Sequence, residues 1–376
     1  MMKWTPPCDF IGIDVPKSLL GKETKEEPVE KHSVVAVDIA KSVFDVAVSH
    51  EPGRVAERRR LSRAAFSVFF VQLPALTVVM EACGMAHYWA RKLQELGHAV
   101  VLLPPHQVRP YVVRNKTDRT DAKGILEAYR NAEIRPVPVK SVAQQVLCAL
   151  HRFRSGWVAA RTAQVNTLRG LLRELGLVIP VGVEQVVPQV RSLVGDADSD
   201  VPDALRPVLA TACDEIEALD DNIKLSERQL EALAERTPAV ERLESIPGIG
   251  LLTATALVAF IGEVQRFPSG RHFASYLGLT PREYSSGLRR RLGRISKRGD
   301  AYIRMLLIHG ARSILCHAQR AKPTKQHDRL RSWALALEKR VGHNKAAVAL
   351  ANKLARIAWA VWKHDKDYAS KLEQAA

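Results

Sequence analysis

Val34-Val35-Ala36-Val37-Asp38-Ile39-Ala40-Lys41-Ser42-Val43-Phe44-Asp45-Val46-Ala47-Val48 is the stretch on which the fold of this chain turns. Val34 to Val37 is a continuous apolar run of the kind that forms a buried strand, and Asp38 closes it. After a few polar residues, Val43, Phe44, Val46 and Val48 supply a second strand that can return as its hairpin partner. Arg54 to Arg63 supplies a third, more exposed strand or its turn. Phe66 to Leu73 reads as helical, and Thr77 to Met80 as a short buried strand that ends at Glu81. Ala86 to Leu96 then reads as a helix closed by Gly97, and Ala99 to Leu103 as a strand ended by Pro104 and Pro105. Paired strands followed by strands alternating with helices predict an α/β domain over residues 33–140, whose ligands gather at strand C-terminal ends. Residues 1–32 end in the charged run Lys22 to Lys31 and read as a mobile leader.

Beyond Ser141 the pattern changes to long helices, the first through Leu147, Leu150, Trp157, Leu168, Leu171 and Leu175 and ended by Pro180. In the second, Leu205, Leu209, Ala212, Ile216, Leu219, Ile223, Ser226, Leu230 and Leu233 step by fours and threes, a heptad seam with one polar interruption. Such helices can fold back on each other within the chain or pair between chains. Residues 141–240 therefore form a helical, coiled-coil-like middle segment. Near Pro238 the composition shifts again, and residues 241–376 read as a third, mainly helical domain. It has helices at Leu251 to Phe260, Ala301 to Cys316 and His343 to Lys363. On the last of these Ala347, Leu350, Leu354, Ile357 and Val361 share a face, so Trp359 and Trp362 read as packing residues.

The chain has 376 residues, 47% of them hydrophobic, which excludes wholesale disorder, and a net charge of +16, which calls for an anionic partner. No apolar run reaches the roughly 18 residues of a membrane span, and the start lacks the cationic and apolar blocks of a secretory signal. A cytoplasmic protein acting on nucleic acid, without a membrane, is the expectation. Cys8, Cys83, Cys148, Cys213 and Cys316 include no close pair, so they read as reduced thiols and any metal must be held by oxygen ligands.

Asp38 and Glu81 both end apolar strands, and Ala82, Cys83 and Gly84 are too small to hide Glu81. Asp118 and Asp121 open a helix at a spacing of three, which puts both on one face. Capping of the helix start accounts for Asp118 alone. Four acids in this arrangement fit better with a hard cation such as Mg²⁺ or Mn²⁺, which offsets carboxylate repulsion and can clamp the oxygens of a phosphoryl transfer. In the leader, Phe10-Ile11-Gly12-Ile13-Asp14 resembles the Asp38 strand, but only Asp38 is followed by a return strand. Further on, Pro247-Gly248-Ile249-Gly250 before a helix suits a helix-hairpin-helix turn whose N–H groups meet a phosphate. Arg289, Arg290, Arg291, Arg294, Lys297, Arg298 and Arg304 are opposed by Asp300 alone, and glycines at 287, 293 and 299 would let backbone approach a phosphate.

Taken together, Val37 to Ser42, Met80 to Gly84, Lys116 to Ala122, Ile246 to Gly250, and Tyr284-Ser285-Ser286-Gly287 through Gly299 resemble the DEDD transposases of the IS one-ten family of bacterial insertion sequences. The middle helices resemble its IS eleven-eleven subgroup. The resemblance implies a RuvC-like, ribonuclease-H-type domain whose acids Asp38, Glu81, Asp118 and Asp121 bind Mg²⁺. It also implies a C-terminal transposase domain whose nucleophile is Ser286, directly before Gly287, rather than Ser285. Family members act as serine recombinases through a covalent phosphoserine link. Their partners would be donor and target DNA, a structured bridge RNA, and further copies of the chain, a dimer assembling to a tetramer associated with the nucleoid. A Holliday-junction-type nuclease would use the same acids with water as nucleophile.

Overall fold

The computed structural model describes residues 33–52, 54–112, 118–321 and 328–369, with the side chains of 118–120 excepted. The leader, with its Asp14 motif, lies outside the described residues. The chain divides into two compact units, Met1–Val137 and Pro138–Ala376.

The first unit is a five-stranded sheet of order β3-β2-β1-β4-β5, made by β1 (Val34–Ile39), β2 (Val43–Ser49), β3 (Glu57–Ser62), β4 (Thr77–Glu81) and β5 (Ala99–Leu103). β1, β2 and β3 form an antiparallel meander, whereas β4 and β5 run parallel to β1 and to each other. Parallel neighbours need crossover connections. α1 (Arg63–Val71), capped by the Ser62 hydroxyl, precedes β4, and α2 (Ala86–Glu95) links β4 to β5. Alternation along the strands divides the core in two. Phe44 on one face meets Phe66 of α1 and Trp89 of α2 at ring separations of 4.6 and 5.3 Å. On the other, Ala36, Ala47, Val79 and Leu103 pack against Ala122, Ile125 and Leu126 of α4 (Asp118–Tyr129). The short α3 (Pro105–Val108) follows β5.

In the second unit α5 (Val142–Glu174) begins with a reciprocal capping box between Ser141 and Gln144. It folds back on α7 (Arg206–Ala234) after the short α6 (Val186–Gly195). Ion pairs Arg154–Glu227 (2.7 Å) and Arg161–Asp220, and the Gln164–Glu215 hydrogen bond (2.7 Å), record the antiparallel register. The heptad seam is thus occupied within the chain: Leu209 and Ile216 share a core with Leu168 and Leu172 of α5. At its base the hairpin joins the core of the helices that follow, through Leu147, Cys148, Leu230 and Ala234.

Those helices are α8 (Pro238–Glu244), α9 (Leu251–Ile261), α10 (Gly270–Tyr276), α11 (Ala301–Arg320), α12 (Arg329–Val341) and α13 (His343–His364). Between α10 and α11 the chain forms a ribbon of β6 (Pro281–Glu283) and β7 (Leu292–Ile295), where sequence patterning predicts no strands. All its strand residues but the half-buried Ile295 are exposed, so no apolar alternation marks it. Trp359 and Trp362 pack against the core as expected. Among the described residues no helix is long and apolar enough to cross a membrane.

Candidate functional site

Parallel pairing brings the first two acids together. β1 and β4 run in register through Val37 and Met80, so the next residues, Asp38 and Glu81, leave the ends of adjacent strands on the face that α4 covers. Neighbouring strands lie about 4.8 Å apart, which makes these carboxylates close neighbours. The Cys83 thiol responds to both: burial raises its pKa, and the negative charges of Glu81 and then Asp38 raise it further. α4 begins at Asp118 and crosses the same face, and Asp121 in its first turn is buried beside Ala122. The Asp118 side chain lies outside the described residues. Among those described, no three His, Cys, Asp or Glu side chains are grouped closely enough to hold a metal ion. Carboxylate oxygens from two strand ends are still the donor type that a hard divalent cation takes.

The meander adds an acid that sequence reasoning missed. Asp45 of β2 stands directly opposite Asp38, and Arg60 of β3 stands opposite Asp45. Opposed residues share a face, so the row Glu81, Asp38, Asp45, Arg60 runs across one side of the sheet. The signal was available in the turn: pairing Ile39 with Phe44 aligns the two aspartates.

The ribbon carries the serines. Ser286 and Arg289 close it through two backbone bonds, Ser286 N–H to Arg289 O (3.3 Å) and Arg289 N–H to Ser286 O (3.1 Å). Gly287 takes the first loop position at φ +55° and Leu288 the second, a two-residue hairpin that needs glycine where φ is positive. The two hydroxyls differ. Ser285 Oγ donates to Glu283 Oε1 at 2.6 Å and accepts from the Arg291 N–H at 3.1 Å, so it is built into the ribbon. Ser286 Oγ is exposed and has no hydrogen-bond partner among the described residues. Around it Arg289, Arg290, Arg291, Arg294, Lys297 and Arg298 are exposed, with Glu283 as the one carboxylate between Pro281 and Gly299.

Two of the glycines in this stretch are required by packing within the chain. A Cβ on Gly299 would lie 2.0 Å from the Tyr276 carbonyl, and one on Gly293 would lie 2.9 Å from the Tyr284 ring. Asp300 is the N-cap of α11, accepting from the Ile303 N–H at 2.9 Å, and Arg304 donates to the carbonyls of Leu277 and Arg298. In the turn before α9, Gly248 has φ +79° and lies against α11, where a Cβ would come 2.8 Å from the Gly310 carbonyl. Gly250, by contrast, is the exposed N-cap of α9, with nothing near the place of its missing Cβ.

Comparison with known proteins adds a history to this geometry. Residues 240–327 match the family described as "Transposase IS116/IS110/IS902 family", and residues 35–176 match a DEDD family described as "Transposase". A "Probable family 20 transposase" of Pseudomonas aeruginosa is 43% identical over 338 residues, covering 89% of this chain and 98% of the relative. The "Transposase for insertion sequence element IS1111A" of Coxiella burnetii is 38% identical over 335 residues, 89% of this chain and 91% of the relative. The "Transposase for insertion sequence element IS1328" of Yersinia enterocolitica is 35% identical over 329 residues, 88% and 96% of the two.

Proposed function

The chain belongs to the IS116/IS110/IS902 family of insertion-sequence transposases, and from that membership we propose that it cuts and rejoins DNA through a covalent link to Ser286. The observation that carries the choice of nucleophile is the contrast between the two hydroxyls, with Ser285 held by Glu283 and Arg291 and Ser286 exposed and without such ties. In the step proposed, the Ser286 hydroxyl gives up its proton and its Oγ forms a bond to phosphorus. A deoxyribose oxygen leaves and takes up a proton, and rejoining reverses the exchange. Arg289, Arg290 and Arg291 flank the hairpin and offer guanidinium N–H groups to the phosphate oxygens as their charge develops.

The first unit is read as RuvC-like. Its strand order, with an antiparallel meander followed by two parallel strands, and the acids at the ends of β1 and β4 support that reading. Asp38, Glu81, Asp118 and Asp121 would hold Mg²⁺, or Mn²⁺ in its place. Such an ion supplies charge stabilisation and a lower pKa for a coordinated hydroxyl. Asp45 and Arg60 lie beside Asp38 on the same face of the sheet. Donor and target DNA are the substrates, a structured bridge RNA is the guide, and the working form is a homo-oligomer. The exposed cations of the ribbon suit phosphate backbones of either kind.

The test is to trap the reaction with labelled DNA and denature the protein. Wild type and Ser285→Ala should stay attached to DNA. Ser286→Ala should lose the adduct and recombination while still binding DNA and melting as wild type, since the side chain it loses is exposed. Metal-dependent cleavage that persists in Ser286→Ala, with free ends and no adduct in wild type, would refute the serine mechanism and leave a water-using nuclease of the Holliday-junction type.

A further inference from the structure

From His343 to His364, α13 carries Lys345, Lys353, Arg356 and Lys363 and no carboxylate. Its apolar side, including Ala347, Leu350, Leu354 and Ala358, is spent in the core. Lys353 and Arg356, one turn apart, are left beside the start of α10. There the helices come into backbone contact: a Cβ on Gly270 would lie 3.1 Å from the Arg356 Cα and from its carbonyl oxygen. Next to this contact opens a cleft of about 560 Å³ whose lining includes Ser269, Arg271, Lys353, Arg356 and Trp359 and contains three cations and no acid. None of the three cations pairs with a carboxylate among the described residues.

Lys353 Nζ stands 4.0 Å from the centroid of the Trp333 ring, which positions the ammonium without neutralising it. Burial lowers its pKa, and the Arg356 charge lowers it further. Three like charges gathered around one opening, with Lys353 half-buried and Arg271 and Arg356 exposed, repel one another unless an anion compensates them. The cleft is also tied to the root of the ribbon: Asn352, beside Lys353, donates to the Leu279 carbonyl at 3.2 Å, two residues before β6.

We propose that this α10–α13 cleft binds the sugar–phosphate backbone of duplex DNA, as a second phosphate contact besides the arginine ribbon. The proposal rests on the transposase reading. Duplex DNA is the occupant because the cleft offers charge and no platform for bases. The Trp359 indole N–H is spent on the Phe267 carbonyl at 3.1 Å and its ring is approached by Lys363, while the Trp333 ring is covered by Lys353. Contacts to phosphate position a duplex without reading it, whereas recognition of unpaired RNA relies on stacking.

The experiment measures binding of the full-length chain to a labelled DNA duplex by fluorescence anisotropy across a salt series. If each cation meets a phosphate, the triple variant Arg271→Gln/Lys353→Gln/Arg356→Gln should lower the slope of log K against log salt by roughly 2.7. Wild type would then lose roughly 40-fold more affinity than the variant between about 50 and 200 mM salt. The exposed Arg271→Gln alone should lower the slope by about 0.9, which keeps the test decisive if the triple variant melts early. Slopes equal to wild type in folded variants, with Arg289→Glu weakened, would overturn the cleft and leave the transposase reading intact. A wild type that fails to bind duplex DNA would overturn that reading itself, and binding without salt dependence would remove the cleft and the ribbon alike as phosphate contacts. A larger loss for single-stranded RNA than for the duplex in the triple variant would overturn the assignment to DNA.

Discussion

His151 joins the helical hairpin to the helices of the C-terminal region, and its protonation is a sharp test of how that junction is built. The ring is 1% exposed on α5, with Nδ1 3.1 Å from the Tyr302 hydroxyl of α11 and Nε2 3.1 Å from Thr255 Oγ1 of α9. Thr255 donates its one hydroxyl proton to the Leu251 carbonyl at 2.6 Å, so it must accept from Nε2–H. Burial favours the neutral imidazole, in which Nδ1 accepts from the Tyr302 hydroxyl. Burial, and after it the charge of Arg154, lower the pKa to about 4 from 6.5. Because the folded value is the lower, the unfolded chain binds the proton first, and stability present above pH 6.5 is lost as pH falls toward 4. For a shift of this size the loss between pH 7.5 and pH 5 is about 2 kcal/mol. In a unit of this length that corresponds to a drop in thermal midpoint of roughly 4–8 °C. His151→Phe removes the titration, so calorimetry should show the variant less stable than wild type at pH 7.5 and the gap narrowing by that amount at pH 5. The difference between the two proteins cancels the carboxylates that both titrate. Parallel curves for wild type and variant would refute a neutral, doubly bonded His151.

Two further outcomes follow from the geometry. Gly310→Ala would place a Cβ 1.9 Å from the Gly248 carbonyl, so α11 and the turn before α9 must separate. A destabilisation of about 3 kcal/mol, the upper end for overpacking, is expected in urea unfolding, and a wild-type midpoint would show that the contact yields freely. Asp38→Asn and Glu81→Gln should each abolish DNA cleavage and weaken Mn²⁺ binding measured by calorimetry, with circular dichroism unchanged. Wild-type cleavage in both would remove these acids from the reaction.

Local pattern carried much of the architecture. The apolar runs of β1, β2, β4 and β5 and the four-three steps of α7 are signals of period and burial, and these depend on neighbours a few residues away. Asp38 and Glu81 were visible for the same reason, as charges that end apolar runs. The seam of α7 could be recognised, but its partner could not, since a heptad stripe is satisfied equally by α5 or by a second chain. Only the folded hairpin, with Arg154 against Glu227 and Arg161 against Asp220, decides for α5. The ribbon escaped prediction because its strands are exposed except at Ile295 and leave no alternation to read. Sequence shows Gly248 only as part of a turn before a helix; that α11, some sixty residues later, brings the Gly310 carbonyl against it is a fact of packing. Asp45 became part of the acidic row through strand register. The α10–α13 cleft draws Arg271 to Lys353 and Arg356 across about eighty residues of chain. Charges on a surface have no period that would mark them in sequence, so their convergence is settled by packing of the apolar faces beneath them.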